Sequence, residues 1–328
     1  MTAGRPALLL NQGASATRIL GTGSYQPDRV VTNDELSQVM DTSDEWIRDR
    51  VGIVERRMSG PDDRVVDFAT SAGVRAVKDA GLSPSDVDTV IVATCTMPNQ
   101  IPNAAATVAE QVGVHGAGAF DLNAACAGFC YGVNTASDLI RSGSAGRVLV
   151  VGAEKFTGWV DPTDRANAII FADGAGAAVV GPSDEPGIGP VAWGSAGDLA
   201  ELIYMREGRW LYQEGQSVFR WATTQVAPVA LRALELAGLK PGDVDVLIPH
   251  QANLRIVNAI AKRLRAEGAS DDMVVADDIV HSGNTSSASI PMALDHMRAA
   301  GRVNAGDVLL LVGFGAGLSY AAQVVISP

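Results

Sequence analysis

The chain has 328 residues, 47% of them hydrophobic, which is enough for two ordinary domains or one large one with substantial cores. A formal net charge of −12 argues against nucleic acid, whose binding relies on cations that neutralise phosphates. Three cysteines, Cys95, Cys126 and Cys130, make no paired framework; Ala7–Leu10 is too short for a secretory core, and no run reaches the ~18 apolar residues of a spanning helix, so a cytoplasmic protein without a membrane segment is expected.

Residues 1–17 are expected as a flexible N-terminal extension, and Arg18–Tyr25 reads as a first strand and turn. Thr32-x-x-Glu35 and Thr42-x-x-Glu45 are two capping-box patterns that open short helices. Trp46 and Arg50, four apart, share one face of the second helix. An indole beside a guanidinium suits a nucleotide base and its phosphates, and it equally suits a packed Trp with Arg50 paired to a carboxylate. Val65–Ala80 is helical by periodicity, Gly81 ends it, and Thr89–Ala93 reads as a strand.

Around Cys126 a short strand gives way to a helix whose apolar positions are Phe129, Cys130, Val133, Ala136, Leu139 and Ile140. A cysteine in the first helical turn faces unpaired N–H groups and the positive end of the dipole, which would lower its pKa and make it a nucleophile. A buried small hydrophobe is the plainer reading.

The segment Arg75–Asp88 returns as Arg232–Asp245, an offset of 157 residues, and each copy runs into an apolar strand. Extending the register pairs Gly143 with Gly301, Val148–Val151 with Val308–Leu311, and Cys126 with Asn284. This is an internal duplication. Two related α/β halves, 18–185 with the cysteine and 186–328 with a histidine and asparagine, are expected to share a site at their junction. His250 sits at the mouth of a strand, before a helix with Ile256, Ile260 and Leu264 as its apolar positions; a structural histidine is the alternative. Ser282–Ser287 is small and polar ahead of the apolar helix Ile290–Met297 and by itself reads as a cap. Gly313–Gly317 lies between two strands and lets the backbone approach a ligand. Neither that run nor Asp173–Gly176 carries the dinucleotide fingerprint, and Cys126 and Cys130 lack a second ligand pair, so neither NAD nor a metal is expected.

Asp121-Leu-Asn-Ala-Ala-Cys126-Ala-Gly-Phe, Pro249-His250-Gln-Ala-Asn253 and Gly283-Asn284-Thr-Ser-Ser-Ala-Ser together resemble the β-ketoacyl-acyl carrier protein synthase III family of the thiolase superfamily, with the likeness running from Arg18 to Ile326. The resemblance implies a thiolase fold, two duplicated βαβαβ-type halves in an αβαβα layering, usually as a homodimer. It implies a catalytic trio of Cys126, His250 and Asn284, an oxyanion hole from the backbone of Cys126 and Ala316, and CoA contacts from Trp46, Arg50, Arg165 and Asn253. It also puts Phe314 at the inner end of the acyl tunnel, and Ile101 of the partner subunit at its closed end, where relatives restricted to short straight chains have Phe. The implied substrates are acyl-CoA and malonyl-acyl carrier protein, without cofactor or metal, in a condensation that initiates fatty acid synthesis. A priming ketosynthase of a polyketide pathway and a thiolase-fold acyltransferase without condensation are the alternatives. Arg220, Arg255, Lys262 and Arg263 form the expected docking patch for the acidic carrier protein. The chain departs from the family at Gly215-Gln216, where Gly-Asn is usual, and in a short segment between Gly194 and Tyr212.

Overall fold

Thr89–Ala93 and Val246–Pro249 are buried at every position, as strands covered on both faces must be. In the computed structural model, which describes residues 8–328, each is an internal strand of a five-stranded sheet. The first sheet comprises β1 (Ala16–Tyr25), β2 (Thr89–Ala93), β3 (Gly118–Leu122), β4 (Val148–Lys155) and β5 (Asp173–Ser183), in spatial order β1-β5-β4-β2-β3. The second comprises β6 (Ile188–Ser195), β7 (Val246–Pro249), β8 (Val274–Val275), β9 (Val308–Phe314) and β10 (Ser319–Ile326), in order β6-β10-β9-β7-β8. The two orders coincide strand for strand, and only β5 and β10 run against their neighbours.

Six helices complete the repeat: α1 (Val65–Asp79), α2 (Ala104–Val112), α3 (Gly128–Arg141), α4 (Gly215–Leu236), α5 (Leu254–Ala266) and α6 (Ser289–Ala299). Helices α3 and α6 lie between the sheets, where Phe129, Val133 and Ile290, Leu294 join Ile91 and Ile248 in one core. Helices α1 and α2 cover the outer face of the first sheet, α4 and α5 that of the second. The result is the αβαβα layering of a thiolase fold. Full burial of each large apolar side chain contributes roughly 1.5–3 kcal/mol, so the side chains that α3 and α6 bury against both sheets, Phe129, Val133, Ile290 and Leu294 among them, hold the layers together. Among the described residues no helix is long and apolar enough to cross a membrane.

Several expected boundaries shift. Strand β1 opens at Ala16, and Thr17 is buried with its hydroxyl 2.7 Å from that of Ser137, so the expected extension 1–17 overlaps the sheet; its residues 1–7 lie outside the described residues. Thr32 caps its helix as expected, accepting from Glu35 N, but the second helix, Asp44–Val51, is capped by Ser43 rather than Thr42. The helix after Ser282–Ser287 has no side-chain cap, because those polar residues turn inward.

The register of the duplication also changes. Thr89 pairs with Val148 and Val246 with Leu309, so beyond the middle helix the offset is 161, one residue more than the expected match of Val148 to Val308 and three more than that of Cys126 to Asn284. Two 3-10 turns, Ala125–Ala127 and Ser286–Ala288, enter α3 and α6, and their first residues have φ of 47° and 52°. Such values are uncommon without glycine. The structural equivalent of Cys126 is therefore Ser287, and the expected match to Asn284 is corrected. The cause is extra chain in the second half between β8 and the turn, where the short helix Ile279–Ser282 sits.

Candidate active site

The carboxyl ends of the parallel strands in both sheets converge where the halves meet, the position at which open α/β sheets receive ligands. A cavity of about 810 Å³ opens there, lined by Cys126, His250, Asn284, Phe314, Gly315 and Ala316 among others.

Cys126 occupies the 3-10 turn, and regular helix begins only at Gly128. A carbon added to Gly315 would lie 2.8 Å from Cys126 Cβ and 3.0 Å from its Sγ, so glycine is what leaves the thiol its space. Burial pushes the thiol up to about 12; the Ser286 hydroxyl and the backbone N–H favour the thiolate, and the Glu154 carboxylate opposes it. The expected lowering by the helix N-terminus is thus overturned, because desolvation exceeds what the local donors return.

His250 follows β7, is 2% exposed, and has burial driving its pKa down to about 3, so the ring is neutral. Its Nδ1 lies 2.7 Å from Ser289 Oγ, which accepts from Gln251 N at 3.2 Å. That leaves the serine hydrogen free to point at Nδ1 and the ring proton on Nε2. Phe314 packs against the ring edge-on, with centroids 5.2 Å apart. Asn284 is held by its backbone between Ile170 O and Ala172 N, both at 2.9 Å, and its Oδ1 accepts from Ser286 N at 2.8 Å. With Oδ1 engaged, the amide NH₂ is the group left to donate. A thiol and two neutral donors therefore line one cavity.

A second cavity of about 710 Å³ forms the mouth, lined by Trp46, Arg50, Arg165, Arg220, Asn253 and Arg255. The cavities share Ala166, Ile170, Phe219 and Asn253 as walls, so the mouth leads inward. The Arg165 guanidinium lies 4.6 Å from the Trp46 ring centroid and that of Arg50 5.5 Å. Asn253 caps α5, accepting from Arg255 N at 2.9 Å, and donates to Arg50 O at 3.1 Å. The short segment after Gly194 forms a hairpin, Ile203–Arg206 with Trp210–Gln213, that supplies Ile203, Met205 and Leu211 to the inner wall.

Three further expected site residues lie on the surface outside both cavities, as a partner-subunit residue and an outward docking patch require. Ile101 is 87% exposed, and its own chain's cavity is lined by Met97, Pro98, Asn99 and Gln100 instead. Lys262 and Arg263 are on the exposed face of α5 outside both cavities, and Arg263 pairs with Glu267 at 2.7 Å, which removes it as a free cation. The sequence reading missed Glu154, Cys95 and Ser286, which adjoin the thiol. For Glu154 the signal was present, an acid just before the end of an otherwise apolar buried strand.

Two family models match, "3-Oxoacyl-[acyl-carrier-protein (ACP)] synthase III" over residues 120–197 and its C-terminal counterpart over residues 234–326. A Streptomyces coelicolor β-ketoacyl-[acyl-carrier-protein] synthase III is 50% identical over 97% of this chain and 100% of its own. A mycobacterial β-ketoacyl-[acyl-carrier-protein] synthase III from Mycobacterium avium is 47% identical over 96% of this chain and 97% of its own. Among solved structures, the priming β-ketosynthase of the R1128 polyketide biosynthetic pathway superposes with a TM-score of 0.94 at 42% identity, covering 98% of this chain and 99% of that one. The 3-oxoacyl-[acyl-carrier-protein] synthase III of Aquifex aeolicus gives 0.90 at 40% identity, covering 95% and 100%.

Proposed function

The chain belongs to the 3-oxoacyl-[acyl-carrier-protein] synthase III family of thiolase-fold condensing enzymes, and we propose that it joins an acyl-CoA primer to malonyl-acyl carrier protein by decarboxylative Claisen condensation. The observation that carries this reading is the convergence of Cys126 with two neutral donors, His250 Nε2–H and the Asn284 amide, in one cavity reached from a basic mouth.

Cys126 attacks the thioester carbonyl, the C–S bond to CoA breaks, and CoA leaves as the thiol with the proton that Cys126 gives up. Backbone N–H groups of Cys126 and Ala316 hold the oxyanion. Malonyl-acyl carrier protein then loses CO₂, and the enolate oxygen is held by His250 and Asn284. A neutral imidazole suits this step, since it donates without surrendering its proton. The carbanion attacks the acyl-Cys126 carbonyl, and the 3-oxoacyl-carrier protein departs as Cys126 returns to the thiolate and is reprotonated. At the mouth, Trp46, Arg50 and Arg165 receive the CoA nucleotide; Arg165 covers the indole, so a base stacks there only once that guanidinium moves aside.

Two chains are proposed to form a homodimer through β3, an edge strand that carries the exposed Phe120, with the exposed Ile101 as a second contact. Ile101 of the partner subunit would then close the acyl pocket. Ile is smaller than Phe, and one methylene of fit is worth about 1–3 kcal/mol, so branched and four- to five-carbon primers should load beside acetyl.

A polyketide priming role is the second reading, favoured by the likeness to the R1128 priming ketosynthase. Intact-protein mass spectrometry after incubation with a panel of acyl-CoAs tests the covalent step and reports primer choice. Release of CO₂ from malonyl-acyl carrier protein tests the condensation; acyl transfer without it would leave a thiolase-fold acyltransferase.

A further inference from the structure

Beside Cys126 lies a carboxylate that the condensation chemistry leaves without a part. Glu154, the last residue but one of β4, is fully buried, and six neutral donor groups face it. Thr96 Oγ1 lies 2.7 Å from Oε2, Thr94 Oγ1 3.2 Å and Cys95 N 3.1 Å. Ser287 Oγ is 2.9 Å, Ser286 Oγ 3.2 Å and Cys95 Sγ 3.4 Å from Oε1. Four of these donors come from the first half of the chain, from the loop after β2, and two from the turn of the second half.

Ser286 makes this arrangement more than a brace. It lines the same cavity as Cys126, whose thiolate its hydroxyl favours, and its backbone N–H holds Asn284 Oδ1. Its φ of 52° is a conformation that surrounding contacts must maintain. The hydroxyl has a single hydrogen, which goes to Glu154 or to a Cys126 thiolate but not to both. We propose that Glu154, acting through Ser286, is a positioning residue for both half-reactions, setting the proton affinity of Cys126 and the aim of the Asn284 amide. The proposal rests on the condensing role assigned to those two residues above.

The titratable groups around the thiol are Glu154 from β4, Cys95 from the loop after β2, and His250 from the loop after β7. Asp121 also lines the cavity, with its oxygens engaged by Ala104 N and Ala105 N. Lys155, next to Glu154, is turned away and donates to the carbonyls of Gly60, Pro61 and Asp63. Burial raises the Glu154 carboxyl, while its donors favour the charged form, and that charge raises the thiol.

The test is the pH dependence of Cys126 alkylation by iodoacetamide, read by mass spectrometry, alongside CO₂ release from malonyl-acyl carrier protein. Glu154→Gln removes the charge, and the alkylation midpoint should fall by about one pH unit. CO₂ release should fall about 10²-fold as Ser286 and Asn284 lose their anchor. Glu154→Asp keeps the charge but not the reach, so its midpoint should stay while CO₂ release falls. Ser286→Ala removes a donor to the thiolate, and its midpoint should rise. An unchanged or raised midpoint in a folded Glu154→Gln protein overturns the proposal, as does wild-type CO₂ release in that protein. If Glu154→Gln does not fold, Ser286→Ala decides, and an unmoved midpoint there overturns it. Alkylation needs no substrate, so a wild-type protein that never acylates or releases CO₂ sinks the condensing role without deciding the alkylation result.

Discussion

The turns Ala125–Ala127 and Ser286–Ala288 have one backbone and two opposite surroundings. Ala124 at φ −127°, ψ 33° matches Thr285 at −99°, 23°, and Gly128 at −54°, −39° matches Ser289 at −65°, −37°. At the equivalent positions that close in on them stand Gly315 and Glu154. Where there is no side chain, Cys126 keeps its space and faces the cavity. Where there is a carboxylate, Ser287 is tied down at 1% exposure. The duplication thus made two similar helix entrances, and the neighbour, more than the turn, decides which one keeps a side chain open to the cavity.

The sharpest break of this comparison is Cys126→Ala, which should abolish acyl-enzyme in the mass assay. Adding Ser287→Cys to that protein places a thiol on the matching turn and should restore nothing, because Glu154 and Ala93 O hold that position. Acylation of the introduced thiol would show that the turn alone suffices. Next in size, His250→Ala and Asn284→Ala should still acylate but lose about 10²–10³ in condensation, the usual cost of removing one donor from a developing oxyanion. Normal CO₂ release by Asn284→Ala would remove it from the enolate site. Gly315→Ala imports a side chain into the open turn, and displacing the thiol by an ångström should slow acylation about 10²-fold.

The sequence disclosed the duplication because Arg75–Asp88 and Arg232–Asp245 cover a helix, a turn and a strand start that local physics constrains alike in both halves. It misplaced the partner of Cys126 because the chain between β8 and its turn is longer, and an insertion in a loop leaves no trace in periodicity. Cys126, His250 and Asn284 were legible as motifs at element ends, and the cavity brings them together. The direction of the Cys126 shift was not legible. A helix start can be read from residue types, whereas the burial of Cys126 and the Glu154 charge beside it come from elements distant in sequence.

A smaller effect separates the strand ends, where His250 in the second half stands in the place of Ala93 in the first. Burial drops the His250 pKa to about 3, below the ~6.5 of an unfolded chain. Between those values the unfolded state binds more protons, so this contribution is complete above pH ~6.5 and is lost as the pH falls toward 3. His296 has the opposite sign: burial lowers it, but the Asp278 hydrogen bond and charge raise it overall, so its contribution is present at low pH and lost as pH rises through the folded value. Melting temperatures from pH 4.5 to 8 should therefore fall less on acidification in His250→Gln than in the wild type. In His296→Asn they should fall less on alkalinisation. Parallel curves for wild type and His250→Gln would mean that the ring is not buried neutral.

The least effect concerns the outer helices, α2 and α5, which the duplication also makes equivalent. Helix α2 has no cation, whereas α5 carries Arg255, Lys262, Arg263 and Arg265 on a chain of net charge −12. Arg263 is exposed but paired with Glu267, and Arg265 donates to Asp271 O and Met273 O, which leaves Arg255 and Lys262 as the exposed cations of α5 without such a partner among the described residues. They are seven residues apart, two helical turns, so they share a face, and Arg255 borders the mouth with Arg220. An acidic carrier protein repelled by the overall charge would be steered to this patch. Rim charges act mainly on encounter and its salt dependence rather than on bound contacts. Reversing Arg255 and Lys262 to Glu should raise KM for malonyl-acyl carrier protein several-fold and flatten its dependence on ionic strength, while acylation of Cys126 by short acyl-CoA changes little. Equal losses in both half-reactions would instead point to a damaged mouth, since Arg255 also packs on Phe219 at 5.1 Å, and unchanged kinetics would move the docking surface off α5.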